Sequence, residues 1–121
     1  MYITLNKKDI ELKFDFRFLR EIDSRLGIKM EGGSIGQGVS MLPLGLSAGN
    51  PVTIGETILA ATAYKQKKRP TVDDLDDILD DIAENVGLEE FGEQIIEELG
   101  KRPMTRNLVA KSEEQTEQET D

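Results

Sequence analysis

Hydrophobic and polar residues alternate with a period of two at the start of the chain, and then the period changes. Ile3 and Leu5 alternate with polar neighbours, and Ile10, Leu12 and Phe14 do the same after the polar stretch Asn6-Lys7-Lys8-Asp9. Two such runs around a short polar loop predict a β-hairpin over residues 2–14. Beyond Asp15, placed to cap a helix, Leu19, Ile22 and Leu26 fall at helical spacing. Arg17/Glu21 and Glu21/Arg25 are i,i+4 opposite-charge pairs on the other face, and Gly27 is a stop signal. A first helix over residues 16–26 follows. A two-stranded ribbon is marginal alone, so later helices have to cover its apolar face.

Residues 32–55 carry no charge. The spacing predicts a helix over 34–48, with Ile35, Val39, Leu42 and Leu46 on one face and Pro43 as a point where it kinks or splits. Asn50 as cap and Pro51 in the first turn open the next helix, 51–65, whose stripe is Ile54, Ile58 and Ala61. Lys65, Lys67, Lys68 and Arg69 then cluster before Pro70; they read best as cations complementing the negative end of that helix, with an anion or RNA contact as the sharper alternative. Thr71-Val72-Asp73-Asp74 is a capping box for a helix over 72–86, with Leu75, Ile78, Leu79, Ile82 and Val86 inside. After Gly87 a helix over 88–99 repeats the scheme with Phe91, Ile95, Ile96 and Leu99, and Gly100 to Pro103 end it. The last ten residues hold no apolar side chain, so 101–121 reads as a disordered acidic tail. The fold class is α+β, mostly α: an N-terminal hairpin and about five helices in one small domain, residues 1–100.

Composition narrows the function. A chain of 121 residues supports one modest core, and 37% hydrophobic with 5% aromatic makes that core aliphatic. Cysteine and histidine are both absent. That removes thiolate metal sites, cysteine nucleophiles and the usual general base together. No catalytic, cofactor-binding or metal-binding residue is expected. The glycines of 32–38 do not make a phosphate loop, because Gly38 is followed by Val39 where Lys-Ser/Thr is required. The charge-free stretch is broken by seven glycines and two prolines, so no membrane span is expected. With a net charge of −9, a broad basic face for nucleic acid is not expected either. The chain opens directly on a strand pattern, which points to a cytoplasmic protein. Residues 71–100 contain twelve acidic residues and no basic one. Their helical register splays the carboxylates around a cylinder and does not match a calcium loop, so they read as a solvated, self-repelling face that can attract a basic partner.

Three stretches in order resemble a known family: Ile10-Glu11-Leu12-Lys13-Phe14 with residues 16–27, the turn Gly49-Asn50-Pro51, and Arg69-Pro70-Thr71-Val72-Asp73-Asp74 opening an acidic helix. Over roughly residues 1–100 the chain looks like the tail assembly chaperones of long-tailed phages, particularly those of phages and prophages of Gram-positive bacteria. The resemblance implies a non-enzymatic factor of the bacterial host cytoplasm that is absent from the mature virion. It implies binding to the tape measure protein, maintenance of its solubility, and help in recruiting tail tube subunits. Such genes often yield a second, longer product by frameshifting near the C-terminus, which the sequence itself does not show. Self-association is left open.

A client-holding protein needs an adaptable apolar surface and a charged exterior. The candidate partner-binding residues are therefore Met30, Ile35, Val39, Met41, Leu42 and Leu46, together with Asp73, Asp77, Asp80 and Asp81. Core packing is the competing reading for Met30 and Met41. The competing function is an acidic DNA mimic, or another protein-binding inhibitor or adaptor, motivated by the carboxylates of 71–100.

Overall fold

Tyr2–Leu5 (β1) and Lys8–Glu11 (β2) pair antiparallel, with Ile3 opposite Ile10 and Leu5 opposite Lys8. Asn6 and Lys7 alone make the turn, at φ of 52° and 65°. Two successive positive φ values are the type I′ geometry, whose twist matches that of the strands. Lys8 and Asp9 thus leave the expected loop and join β2. The hairpin is one face of the core: Ile3, Ile10, Leu12 and Phe14 are all buried. The structure, a computed structural model, describes residues 1–26 and 37–109.

Five helices follow: Phe16–Leu26 (α1), Gln37–Ser47 (α2), Pro51–Ala61 (α3), Val72–Asn85 (α4) and Leu88–Lys101 (α5). Asp15 caps α1, its Oδ1 accepting from the Phe18 amide at 2.9 Å. Phe18 and Ile22 are the buried positions of that helix, and Phe18 meets Phe14 edge-to-face at 5.0 Å. Leu19 and Leu26 are only half-buried, so the inward stripe is rotated one residue from the expected one. The Arg25–Glu21 ion pair forms at 3.5 Å, and Arg25 also reaches Glu56 of α3 at 3.1 Å.

Helix α3 is the central element. It packs against α1, α2, α4 and α5, and eight of its residues from Thr53 to Ala61 are buried. That burial explains its weak amphipathicity, since a helix covered on most sides has no solvent face to mark. The Thr57 hydroxyl donates to the Thr53 carbonyl at 2.7 Å, so burial leaves that polar group satisfied. Asn50 caps α3 by accepting from Val52 and Thr53 amides at 2.9 and 3.3 Å. The helix stops at Ala61 rather than 65, because Thr62 leaves helical geometry at φ −107°, ψ 7°. The Lys13 amide donates to the freed Ala61 carbonyl at 2.9 Å and so stitches the hairpin to the end of α3.

Helices α4 and α5 follow their stripes closely. The Thr71/Asp74 capping box is formed in both directions. Leu75, Ile78 and Ile82 of α4 and Phe91, Ile95 and Leu99 of α5 are buried, while Val86, expected inside, is exposed at the exit of α4. Gly87 turns the chain at φ 96°, a backbone region that favours glycine.

The helical part also runs further than the expected end at residue 99. Arg102 is extended, Pro103 opens another helix (α6, residues 103–109), and Val109 is buried against the core. Proline here occupies the first helical turn, where its missing amide costs nothing. Thr105, fully buried, donates its hydroxyl to the Leu99 carbonyl. Residues 110–121, the remainder of the expected tail, lie outside the described residues.

Candidate functional site

Helix α2 has no charged residue, yet it is not buried on all sides. It packs against α1, α3 and α5. Leu42 and Leu46 on that side are 0% exposed. Met41 and Leu44, on the other side, are 54% and 76% exposed. Pro43 lies inside α2 without splitting it; the ring only withdraws the donor that the Val39 carbonyl would otherwise receive. Glycines set how closely α2 can approach its neighbours. A Cβ on Gly92 of α5 would collide with the Leu46 carbonyl oxygen, and one on Gly45 would collide with the Thr53 hydroxyl of α3. The α2 and α5 backbones are therefore in direct contact at Leu46 and Gly92, and among the described residues nothing covers Met41 and Leu44.

The outer side of α2 forms a shallow groove of about 260 Å³, lined by Leu26 of α1, Met41, Leu44 and Gly45 of α2, Ala48 in the turn after it, and Asn50 and Thr53 at the entry of α3. Among the described residues, no ionisable side chain lines it. Methionine and leucine on an open helix face make an adaptable apolar contact surface.

The predicted partner-binding residues divide accordingly. Leu42 and Leu46 belong to the core, which corrects their placement on a contact surface: they share the inward face at i,i+4 and are enclosed by α1 and α5. Val39 is half-buried against that same core. Met41 alone of the described apolar candidates faces outward. Met30 and Ile35 lie outside the described residues. Leu44 and Ala48 were missed, although their signal was present. Residues 41, 44 and 48 fall at i, i+3 and i+7 on the face opposite Leu42 and Leu46, so the helix carries two apolar faces and only one can be core.

Asp73, Asp77, Asp80 and Asp81 are all exposed on α4. Asp81 accepts from the Asn85 side-chain amide at 2.7 Å. Helices α2 and α4 do not touch; α3 and α5 lie against both. The apolar and acidic candidates thus form two separate surfaces and do not converge on one site. Among the described residues, no group of three or more Asp or Glu is placed to hold a metal ion, and no helix is long and apolar enough to cross a membrane.

The structure defines a small hairpin-and-helix domain with an uncovered apolar helix face and a separate carboxylate face. A family model described as "Phage tail assembly chaperone protein, TAC" matches residues 2–113, and the chain belongs to that family. The match takes in α6, in keeping with its packing on α5. Neither a curated protein nor a solved structure matches the chain.

Proposed function

We propose that this tail assembly chaperone binds the tape measure protein of a long-tailed phage through the outer face of α2, keeps it soluble, and helps bring tail tube subunits to it. The observation that carries the reading is the pair Met41 and Leu44, exposed on a charge-free helix whose other face is locked into the core. A tape measure chain is long and helical, and its apolar stripes stay uncovered until the tube surrounds it. A helix laid along the groove from Leu26 to Thr53 would bury such a stripe. The carboxylates of α4 and α5 then face water and keep the pair from self-associating by like-charge repulsion. On this reading the protein acts in the host cytoplasm, without catalysis or cofactor, and leaves before the virion is complete.

Co-expression with the tape measure protein encoded in the same phage tests this. The expected result is a soluble, co-purifying pair, lost in Met41→Glu/Leu44→Glu and kept in Asp77→Asn/Asp80→Asn. A client that stays insoluble beside the native chaperone refutes the assignment.

A further inference from the structure

The molecule also has a basic cleft, away from the α2 groove. Leu5, Asn6, Lys8, Asp9 and Ile10 of the hairpin line one side of it, and Lys65, Lys68, Arg69 and Asp74 line the other, around about 450 Å³. Four cations and two carboxylates meet there on a protein whose net charge is −9. The two carboxylates offset half of the positive charge and leave the cleft with an excess of two cations. Asp9 accepts from the Thr4 hydroxyl at 3.1 Å, and Asp74 accepts from the Thr71 amide at 2.8 Å within the capping box. The ion pairs among the described residues are Arg25–Glu21, Arg25–Glu56 and Lys101–Glu98, so none of the four cleft cations has one.

The backbone adds a separate observation. Lys7 and Lys68 both adopt left-handed conformations, at φ 65° and 58°. Lys7 follows Asn6 in the type I′ turn beside the cleft, where glycine is the favoured residue, and Lys68 lines the cleft itself. Glycine would serve both turns with less strain. Lysine at these two positions concentrates positive charge at the mouth of the cleft. Complementing the end of α3 does not by itself account for residues 65–69, since α3 ends four residues before Lys65.

We propose that this cleft is a docking site for the acidic C-terminal segment of the same chain, residues 112–121. That segment carries Glu113, Glu114, Glu117, Glu119 and Asp121 and no cation. Val109, the last described residue, lines a depression with Arg106 and with Glu90, Glu93 and Glu97 of α5. Those glutamates repel the segment from the surface where it emerges, and the cleft is where unpaired positive charge is concentrated. Twelve residues reach about 40 Å when extended. A domain of this size has a radius of gyration of about 13 Å, so the acidic end of the segment reaches well beyond the α5 surface beside Val109. Tethering supplies an effective concentration on the order of millimolar, enough for a weak electrostatic contact to be populated. A long polyanion fits less well, because it would have to run on over the carboxylates of α4. The docked segment shields the basic pole from other acidic chains and is itself displaced by salt or by a more acidic competitor.

The chain has no cysteine, so Thr120→Cys accepts a single nitroxide label on the full-length protein. Amide signals of Asn6, Lys8, Lys65 and Lys68 are expected to lose intensity about twofold or more at low ionic strength and to recover at about 0.5 M salt. Changing Glu113, Glu114, Glu117 and Glu119 to Gln abolishes the effect without touching the folded domain, and Lys68→Glu/Arg69→Glu abolishes it from the other side. Signal loss confined to α5 and α6, or spread evenly, overturns the proposal. So does a loss that appears only between molecules, when labelled protein without ¹⁵N is mixed with unlabelled ¹⁵N protein. The test involves neither the α2 groove nor a client, so its outcome is independent of the chaperone reading.

Discussion

Helices α2 and α4 differ in how they meet the core and the solvent. Helix α4 divides its surface by charge beyond its first turn: Leu75, Ile78 and Ile82 are buried, and Asp76, Asp77, Asp80 and Asp81 are exposed. Helix α2 buries Leu42 and Leu46 completely and leaves Met41 and Leu44 in water without one charged side chain to mark the boundary. The acidic helix is finished as a surface. The charge-free one has an apolar face that solvent alone does not explain, and apolar faces of that kind mark contact sites. On the proposed reading, the partner surface is distinguished by missing charge, and the abundant charge belongs to the side that keeps the complex in water.

The contrast can be broken most severely at the seam beneath α2. Gly92→Leu drives a side chain into the Leu46 backbone, which can yield only if α2 lifts off α5. A loss of about 3 kcal/mol or more is expected in chemical denaturation. The two faces of α2 then separate by substitution. Leu42→Ala is expected to cost about 3 kcal/mol by leaving a cavity, whereas Leu44→Ala should stay within about 0.5 kcal/mol of the native chain. Equal losses at the two positions would mean that α2 has no free face.

A smaller effect concerns the hairpin seam, away from either face. The Tyr64 hydroxyl donates to the Glu11 carbonyl at 2.8 Å, and the Lys13 ammonium sits 4.4 Å from the centre of its ring. Burial, then the charges of Glu11 and Tyr2, raise the Tyr64 pKa above its usual value of 10.0. A phenol whose folded pKa is raised stabilises the fold fully below its unfolded pKa, and that contribution is lost as pH rises through the folded value. The denaturation midpoint should therefore fall above about pH 10, and the fall should be smaller in Tyr64→Phe.

Where local chemistry and burial agree, the sequence predicted the structure well. Asp15, Asn50 and Thr71/Asp74 cap the helices they were expected to cap, because a cap needs only its own first turn. The hairpin was legible from alternation, but its turn was not. Asn6-Lys7 lacks the glycine that signals type I′, so two strand residues were read as loop. The ends of α3 and α5 were misplaced for a tertiary reason: the Lys13 amide takes up the Ala61 carbonyl, and α6 earns its place only by packing Val109 on α5. The family was legible from the order of three stretches. The candidate site was half legible. Absence of charge pointed to α2, but periodicity alone could not say which of its two apolar faces the core would take. The observed docking depends on Gly92 and Gly45, where a Cβ would collide with Leu46 and Thr53.

The most direct measurement follows methionine and isoleucine methyl groups and backbone amides by NMR as a helical segment of the tape measure protein is added to the full-length chaperone. Met41 is the methionine on the outer face of α2, and Met104 lies on α6. The account predicts that the Met41 methyl signal shifts with saturation while Met104 and the buried Ile95 hold still. Binding that moves Met104 or the α4 amides, and leaves the Met41 signal where it was, would contradict it.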